Sequence, residues 1–186
     1  MNSAITLPNL ISILRLIFVP CVVLAITEGR LALAFWLFII AGASDAIDGF
    51  IARHWNLRSE LGAHLDPLAD KTLLVAIYVT MAVEDMVPRW LVIIIVSRDV
   101  LIVGAILLSW FLGRKVVVKP QMISKVNTAG QIVLAGLLLA HDAYHLDIAG
   151  LRMVGIPTVA ALTVASGASY LWFWLKLMSH EPDPGA

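Results

Sequence analysis

Six apolar stretches, each about as long as a bilayer is thick, use up almost this entire chain of 186 residues. Hydrophobic residues make up 60% of it and the mean hydropathy is +0.91, far outside the range of a water-soluble domain. Six helical spans of about 20 residues each leave no room for a second, soluble unit. The expected fold is therefore all-α: one membrane domain over residues 1–186, with six transmembrane helices behind an N-terminal amphipathic segment. The 13 basic and 13 acidic residues cancel, so net charge points to no partner and gives no sign of nucleic-acid binding. Cys21 is the single cysteine, which excludes an internal disulfide and a thiolate metal cluster. It lies in an apolar run, where packing is the expected role.

Turn residues divide the stretches. Residues 3–14 form the amphipathic opening, with Pro8 and Asn9 marking a helix start or a bend before it, and the first span continues to about Thr27. Glu28-Gly29-Arg30 separates it from a second span, Leu31 to about His54. The third covers about Leu61–Val83, and Glu84, Asp85 and Pro88 break the chain after it. The fourth covers Arg89 to about Phe111, the fifth about Met122–Ala140 and the sixth Leu151 to about Met178. Residues 180–186 read as a disordered tail. Alternate connections differ in charge. Arg15, Arg53, Arg58, Arg114, Lys115, Lys119, Lys125 and Lys176 fall on one side, against Arg30, Arg89 and Arg152 on the other. The positive-inside rule puts the first side, with both termini, in the cytoplasm. No cleavable signal or transit peptide is evident, so direct insertion into a bacterial plasma membrane is expected.

Four aspartates interrupt this apolar sequence at fixed spacing. Asp45 and Asp48 are i,i+3, and Asp66 and Asp70 are i,i+4, so each pair shares a helix face. Bare carboxylates at membrane depth are costly and usually mark function. Two such faces turned together offer a cluster of hard oxygen ligands suited to Mg²⁺ or Mn²⁺. Small residues accompany them. Gly49 and Ala52 lie on or beside the first face, and Gly62 sits one turn before Asp66, so a bulky ligand can approach either helix backbone. The same small residues also suit plain helix packing in lipid. Arg53 follows at the membrane surface, either as a forked phosphate ligand or as a snorkelling cation.

The skeleton D-x-x-D-G-x-x-A-R, eight residues, then G-x-x-x-D-x-x-x-D resembles the signature of the CDP-alcohol phosphatidyltransferases. It matches at Asp45, Asp48, Gly49, Ala52, Arg53, Gly62, Asp66 and Asp70. The segment TLPNLISILRLIFVP resembles the opening of the bacterial phosphatidylglycerophosphate and cardiolipin synthases of that family. SRDVLIVGAIL and KPQMISKVNTAGQ resemble the CMP-forming, eukaryotic-type cardiolipin synthases. The likeness runs over roughly residues 5 to 135.

The resemblance implies a pocket of Gly49, Ala52, Arg53 and Gly62 around the cytidine and pyrophosphate of CDP-diacylglycerol. It implies two Mg²⁺ or Mn²⁺ ions among Asp45, Asp48, Asp66 and Asp70, with Asp70 as general base. It also implies a hydroxyl-bearing acceptor: phosphatidylglycerol, giving cardiolipin and CMP, or glycerol 3-phosphate, giving phosphatidylglycerophosphate. A homodimer in the lipid bilayer is the expected assembly. The contrasting class is a cation channel or transporter with acidic spans. That class does not account for Gly49, Ala52, Arg53 and Gly62 at their spacings, and no repeated broken helices are visible.

Several further residues carry expectations. Asp66-Pro67 predicts a departure from helical geometry at Asp66. Lys71 is expected to face solvent or headgroups. Arg98 and Asp99 place adjacent opposite charges in the fourth span. They form either a structural pair with a neighbouring helix or an acceptor-phosphate site with Arg98 as the anion ligand, which Lys119 and Lys125 complete. On the second reading Asp99 points along another helix direction and need not neutralise Arg98. The two lysines fit the inward charge bias equally well. Asn9 falls near the active site by resemblance and serves equally as a helix cap. His54 and His64 are not taken as ligands, and the six tryptophans mostly flank span ends.

One expectation is directly testable. Asp45→Asn, Asp48→Asn and Asp66→Asn each remove a ligand charge, and each should nearly abolish transfer, because metal clamping supplies much of the barrier reduction. Release of CMP from CDP-diacylglycerol by the folded variants checks this. Near-wild-type turnover in any one of them removes that residue from the ligand set.

Overall fold

The computed structural model describes the backbone of residues 7–54, 60–111, 122–147 and 149–179. It describes side chains over the same residues apart from 7–16, 45–54, 60–70, 106, 110, 149 and 178. Among the described residues six helices follow one another: α1 (Leu7–Thr27), α2 (Leu31–His54), α3 (Glu60–Val83), α4 (Arg89–Phe111), α5 (Met122–Tyr144) and α6 (Ala149–Ser179). No strand occurs among the described residues. The expected boundaries hold closely for α2, α3, α4 and α6. The opening segment differs, since from Leu7 onward it is one continuous helix with the first span. Pro8 sits in the first turn, where its missing N–H costs nothing. Residues 3–6 and the tail 180–186 lie outside the described residues.

α1 packs on α2 and α3, α2 on α5, α5 on α6, α6 on α4, and α4 on α3, which closes a ring; α3 also reaches α5 across it. The apolar core collects Val22 and Ile26 of α1, Phe38 of α2, Ile77, Tyr78 and Met81 of α3, Leu91 and Ile95 of α4, and Leu138 and Leu139 of α5. The Tyr78 hydroxyl donates to the Gln131 carbonyl at 2.8 Å and ties α3 to α5. Gly136 lets the Phe38 ring approach α5, where an added Cβ would sit 3.4 Å from it.

The outer surface is the reverse of a soluble protein's. Met153 is 82% exposed, Trp172 73% and Ile93 63%, while Asn127, Gln131, Thr163 and Ser166 are buried. Such a surface needs lipid around it. Among the described residues, Arg89–Ser109, Met122–Tyr144 and Gly150–Leu177 are long and apolar enough to cross a membrane. Shorter apolar runs fill Ile17–Thr27, Leu31–Ser44 and Lys71–Val83 of the other three helices. The chain is a polytopic all-α membrane protein. Cys21 is exposed on α1, so it lies on the outer surface and does not fill the core.

All three connections at the end far from the aspartates use one device, a residue in the left-handed region just past the helix. Gly29 (φ 70) ends α1, with Arg30 N–H donating to Ala25 O at 2.8 Å and Gly29 N–H to Ile26 O at 3.0 Å. Asp85 (φ 54) ends α3, with Met86 N–H donating to Met81 O at 2.8 Å. His145 (φ 54) ends α5, with Leu146 N–H donating to His141 O at 3.2 Å. The His141 ring also bonds the Leu146 carbonyl. This cap explains why α5 runs to Tyr144, past the expected end at Ala140. The polar residues there finish a helix and do not start a loop.

The caps make a prediction. A Cβ on Gly29 meets no atom within 4 Å, so Gly29→Val tests backbone strain alone and should cost about 1–2 kcal/mol. His145→Gly relieves the same strain and should stabilise. Thermal midpoints in detergent should therefore move in opposite directions for the two variants.

Candidate active site

The signature residues fall on two helices. Asp45, Asp48, Gly49, Ala52 and Arg53 lie in the C-terminal half of α2, and Gly62, Asp66 and Asp70 in the N-terminal half of α3. Both helices pack on α1. Because α2 and α3 follow each other in sequence, these halves share one end of the bundle. The side chains of all eight lie outside the described ones, as do those of Asn9, Arg15, His54 and His64, while Arg58, Arg114, Lys115 and Lys119 lie outside the described residues altogether. The backbone corrects one expectation. α3 is helical through Asp66 and Pro67, so the proline does not push Asp66 out of helical geometry.

Directly beyond Asp70 begins a polar cluster that joins four helices. Asp99 Oδ1 accepts from Lys71 Nζ at 2.8 Å and from Arg98 Nη1 at 2.6 Å. Arg98 Nε donates to Ser166 Oγ at 3.3 Å, and Nη2 donates to Ser166 Oγ at 2.8 Å and to Ser124 Oγ. The Tyr170 ring lies 5.8 Å from the guanidinium carbon, within cation–π range. Gly167 makes room for the arginine stem, since a Cβ there would sit 3.4 Å from Arg98 Cγ. The side chains of Arg98, Asp99 and Lys71 are 5%, 17% and 40% exposed.

Two expectations are corrected here. Lys71 does not simply face outward: its side chain stays 40% exposed, but its ammonium reaches across to Asp99 of α4. Asp99 does not leave Arg98 unneutralised. Adjacent helix positions diverge, but the long arginine side chain folds back onto its neighbour's carboxylate. Among the described residues these contacts engage four of the five guanidinium N–H groups and leave one on Nη1. A forked contact between Arg98 and a phosphate would require some of these bonds to exchange.

One turn deeper lies a second polar layer. Gln131 Nε2 donates to Thr163 Oγ1 at 3.2 Å, and Thr163 Oγ1 lies 2.8 Å from Asn127 Oδ1 and 2.7 Å from Val159 O. Asn127 Nδ2 is buried with no partner among the described residues. Trp174 Nε1 donates to Ser109 Oγ at 2.8 Å, so this tryptophan ties α6 to α4 in addition to flanking a span end. Ser124, Asn127, Gln131, Thr163, Ser166 and Tyr170 do not stand out in the sequence. Their signal there is no more than small polar residues recurring in apolar helices. Lys125, next to Ser124, is exposed.

With this arrangement in view, the comparisons with known proteins are decisive at one level. The family model for CDP-alcohol phosphatidyltransferase matches residues 5–177. The chain belongs to that family. Its relatives include a human protein named cardiolipin synthase (CMP-forming), 37% identical over 195 residues and covering 96% of this chain. They also include proteins named CDP-diacylglycerol–glycerol-3-phosphate 3-phosphatidyltransferase. The Bacillus subtilis one is 36% identical over 144 residues, with 75% of this chain and 74% of that protein covered. The Escherichia coli one is 33% identical over 174 residues, with 89% and 92% covered. The chain spans 64% of the human protein's length and 62% of that of a rat relative with the same name. Membership removes the ground for the channel or transporter reading.

The polar cluster predicts a stability effect. Ser166→Ala strips the acceptor from Nε and Nη2 of a buried guanidinium and should cost about 1–3 kcal/mol. Among the described residues Ser169 bonds its own helix alone, at Ser166 O, so Ser169→Ala serves as control and should change little. Thermal midpoints of the two purified variants make the comparison.

Proposed function

We propose that this protein transfers the phosphatidyl group of CDP-diacylglycerol to phosphatidylglycerol, forming cardiolipin and releasing CMP. The observation that carries this reading is the likeness to the human CMP-forming cardiolipin synthase over 96% of the chain. The eight signature residues on neighbouring halves of α2 and α3 support it. Glycerol 3-phosphate is the second acceptor, favoured by the Bacillus subtilis and Escherichia coli relatives.

Four carboxylate residues spaced for single helix faces, at one end of the bundle, fit hard divalent cations in their donor chemistry. Asp45, Asp48, Asp66 and Asp70 would hold two Mg²⁺ or Mn²⁺ ions. Bound there, such ions neutralise charge on the pyrophosphate and the departing CMP. Gly49, Ala52 and Gly62 leave space for the nucleotide, and Arg53 holds its phosphates. Asp70 accepts the proton of the acceptor hydroxyl as that oxygen bonds to the β-phosphorus, next to diacylglycerol. The bond from this phosphorus to the bridging oxygen breaks, and CMP carries that oxygen away. The acceptor's own phosphate is held by Lys119 and Lys125, with the remaining Nη1–H of Arg98 turned to it. The same reading places the enzyme as a homodimer in a bacterial plasma membrane, with the aspartates toward the cytoplasm.

The test is an assay of purified protein with CDP-diacylglycerol and Mn²⁺ or Mg²⁺, offering phosphatidylglycerol and glycerol 3-phosphate separately. Cardiolipin and CMP are expected from the first. Product from glycerol 3-phosphate alone moves the assignment to the second acceptor. Asp70→Asn should keep metal-dependent CDP-diacylglycerol binding while CMP release collapses. Equal loss of both makes Asp70 a metal ligand and not the base.

A further inference from the structure

We propose that Asp99 is a positioning residue for the reaction: by holding Lys71 and Arg98 on one carboxylate oxygen, it sets α3 in rotation and height where that helix carries Asp66 and Asp70. The proposal rests on the phosphatidyl-transfer reading above for its kinetic part only.

Lys71 immediately follows Asp70, and its ammonium is fixed at 2.8 Å to Asp99 of α4. A helix turns as a unit, so anchoring one residue limits where its neighbours one and five positions back can go. The anchor itself is held. Arg98, on the same Asp99 oxygen at 2.6 Å, is clamped by Ser124 of α5 and Ser166 of α6. The setting of α3 near Asp70 is thus referred to three other helices through one atom. Apolar contacts cannot replace it, because they slide with little cost, whereas a charged hydrogen bond at low dielectric is short and directional. Among the described residues the group has two cations and one anion. Neutralising Asp99 leaves Lys71 and Arg98 repelling each other where their shared acceptor was. A role limited to holding the bundle together would change stability and leave turnover of the folded fraction intact.

The experiment uses the 186-residue chain in detergent with Cys21 replaced by serine, and two readouts. The first is steady-state CMP release, corrected for folded fraction. Asp99→Asn should lower kcat about tenfold or more, with KM for CDP-diacylglycerol within about threefold, and Asp99→Glu should recover part of it. Lys71→Met should show the same split, and the double variant Lys71→Met/Asp99→Asn should be no worse than either single. Lys71 is part-exposed, so its variant stands in if Asp99→Asn does not fold. The second readout needs no activity: the distance distribution between spin labels at Val79 of α3 and Val103 of α4, both exposed. It should broaden or shift in Asp99→Asn and in Lys71→Met. Unchanged kcat in folded Asp99→Asn or Lys71→Met, additive losses in the double variant, or an unchanged distance distribution overturns the proposal. An inactive wild type overturns the transfer reading instead, and the spin-label distances then decide the role of Asp99 by themselves.

Discussion

A single carboxylate oxygen, Asp99 Oδ1, receives a lysine from α3 and an arginine from its own helix, and the arginine passes the connection on to α5 and α6. In lipid the hydrophobic effect gives helices little reason to prefer each other over the solvent around them. Association then depends on close packing and on polar groups that find partners only inside the bundle. Breaking up a buried charge cluster of this kind would strand a guanidinium in a medium that cannot solvate it. The cluster is therefore a specific lock on helix arrangement, and it lies immediately beside the segment that carries the acidic signature.

The deeper layer of Asn127, Gln131 and Thr163 works in the same way with neutral groups. The Thr163 hydroxyl has one proton and two acceptors in reach, Asn127 Oδ1 and Val159 O. Turning the Asn127 amide over would let Thr163 serve Val159 and accept from Asn127, and would leave Oδ1 without a partner in place of Nδ2. In either orientation one amide atom is unsatisfied by the described residues. Polar residues thus occur in two layers one turn apart on the facing sides of α5 and α6, and apolar packing takes over toward the opposite end.

The spans are legible in the sequence because bilayer thickness sets their length and charged turns interrupt them. Leu31 and Arg89 begin helices where the sequence places them. The end of α5 and the unity of α1 are less legible. His145 adopts a backbone conformation that glycine usually marks, and Pro8 reads equally as a bend or as the helix start that it is. The acidic signature is legible by spacing, since carboxylates at i,i+3 and i,i+4 in apolar sequence cost too much to serve packing alone. The partners of Arg98 are not legible. A serine in a membrane helix looks the same whether it bonds its own backbone, as Ser169 does, or a guanidinium on another helix, as Ser166 does. Lys71 misleads for a related reason: its partner lies 28 residues away in sequence.

The three left-handed caps have a mechanical consequence. They close the connections that follow α1, α3 and α5, so each helix pair is pinched at the far end. Arg152 strengthens the pinch by donating from the start of α6 to the Met86 carbonyl. A bundle fastened in this way behaves as a set of levers with their fulcrum away from the aspartates. A helix of 24 residues such as α2, which takes no part in the Asp99 cluster, is roughly 36 Å long, so a tilt of about 5° about that fulcrum moves its opposite end by about 3 Å. Small rocking motions of α2 are thereby converted into clearance at the end that carries Asp45 and Asp48.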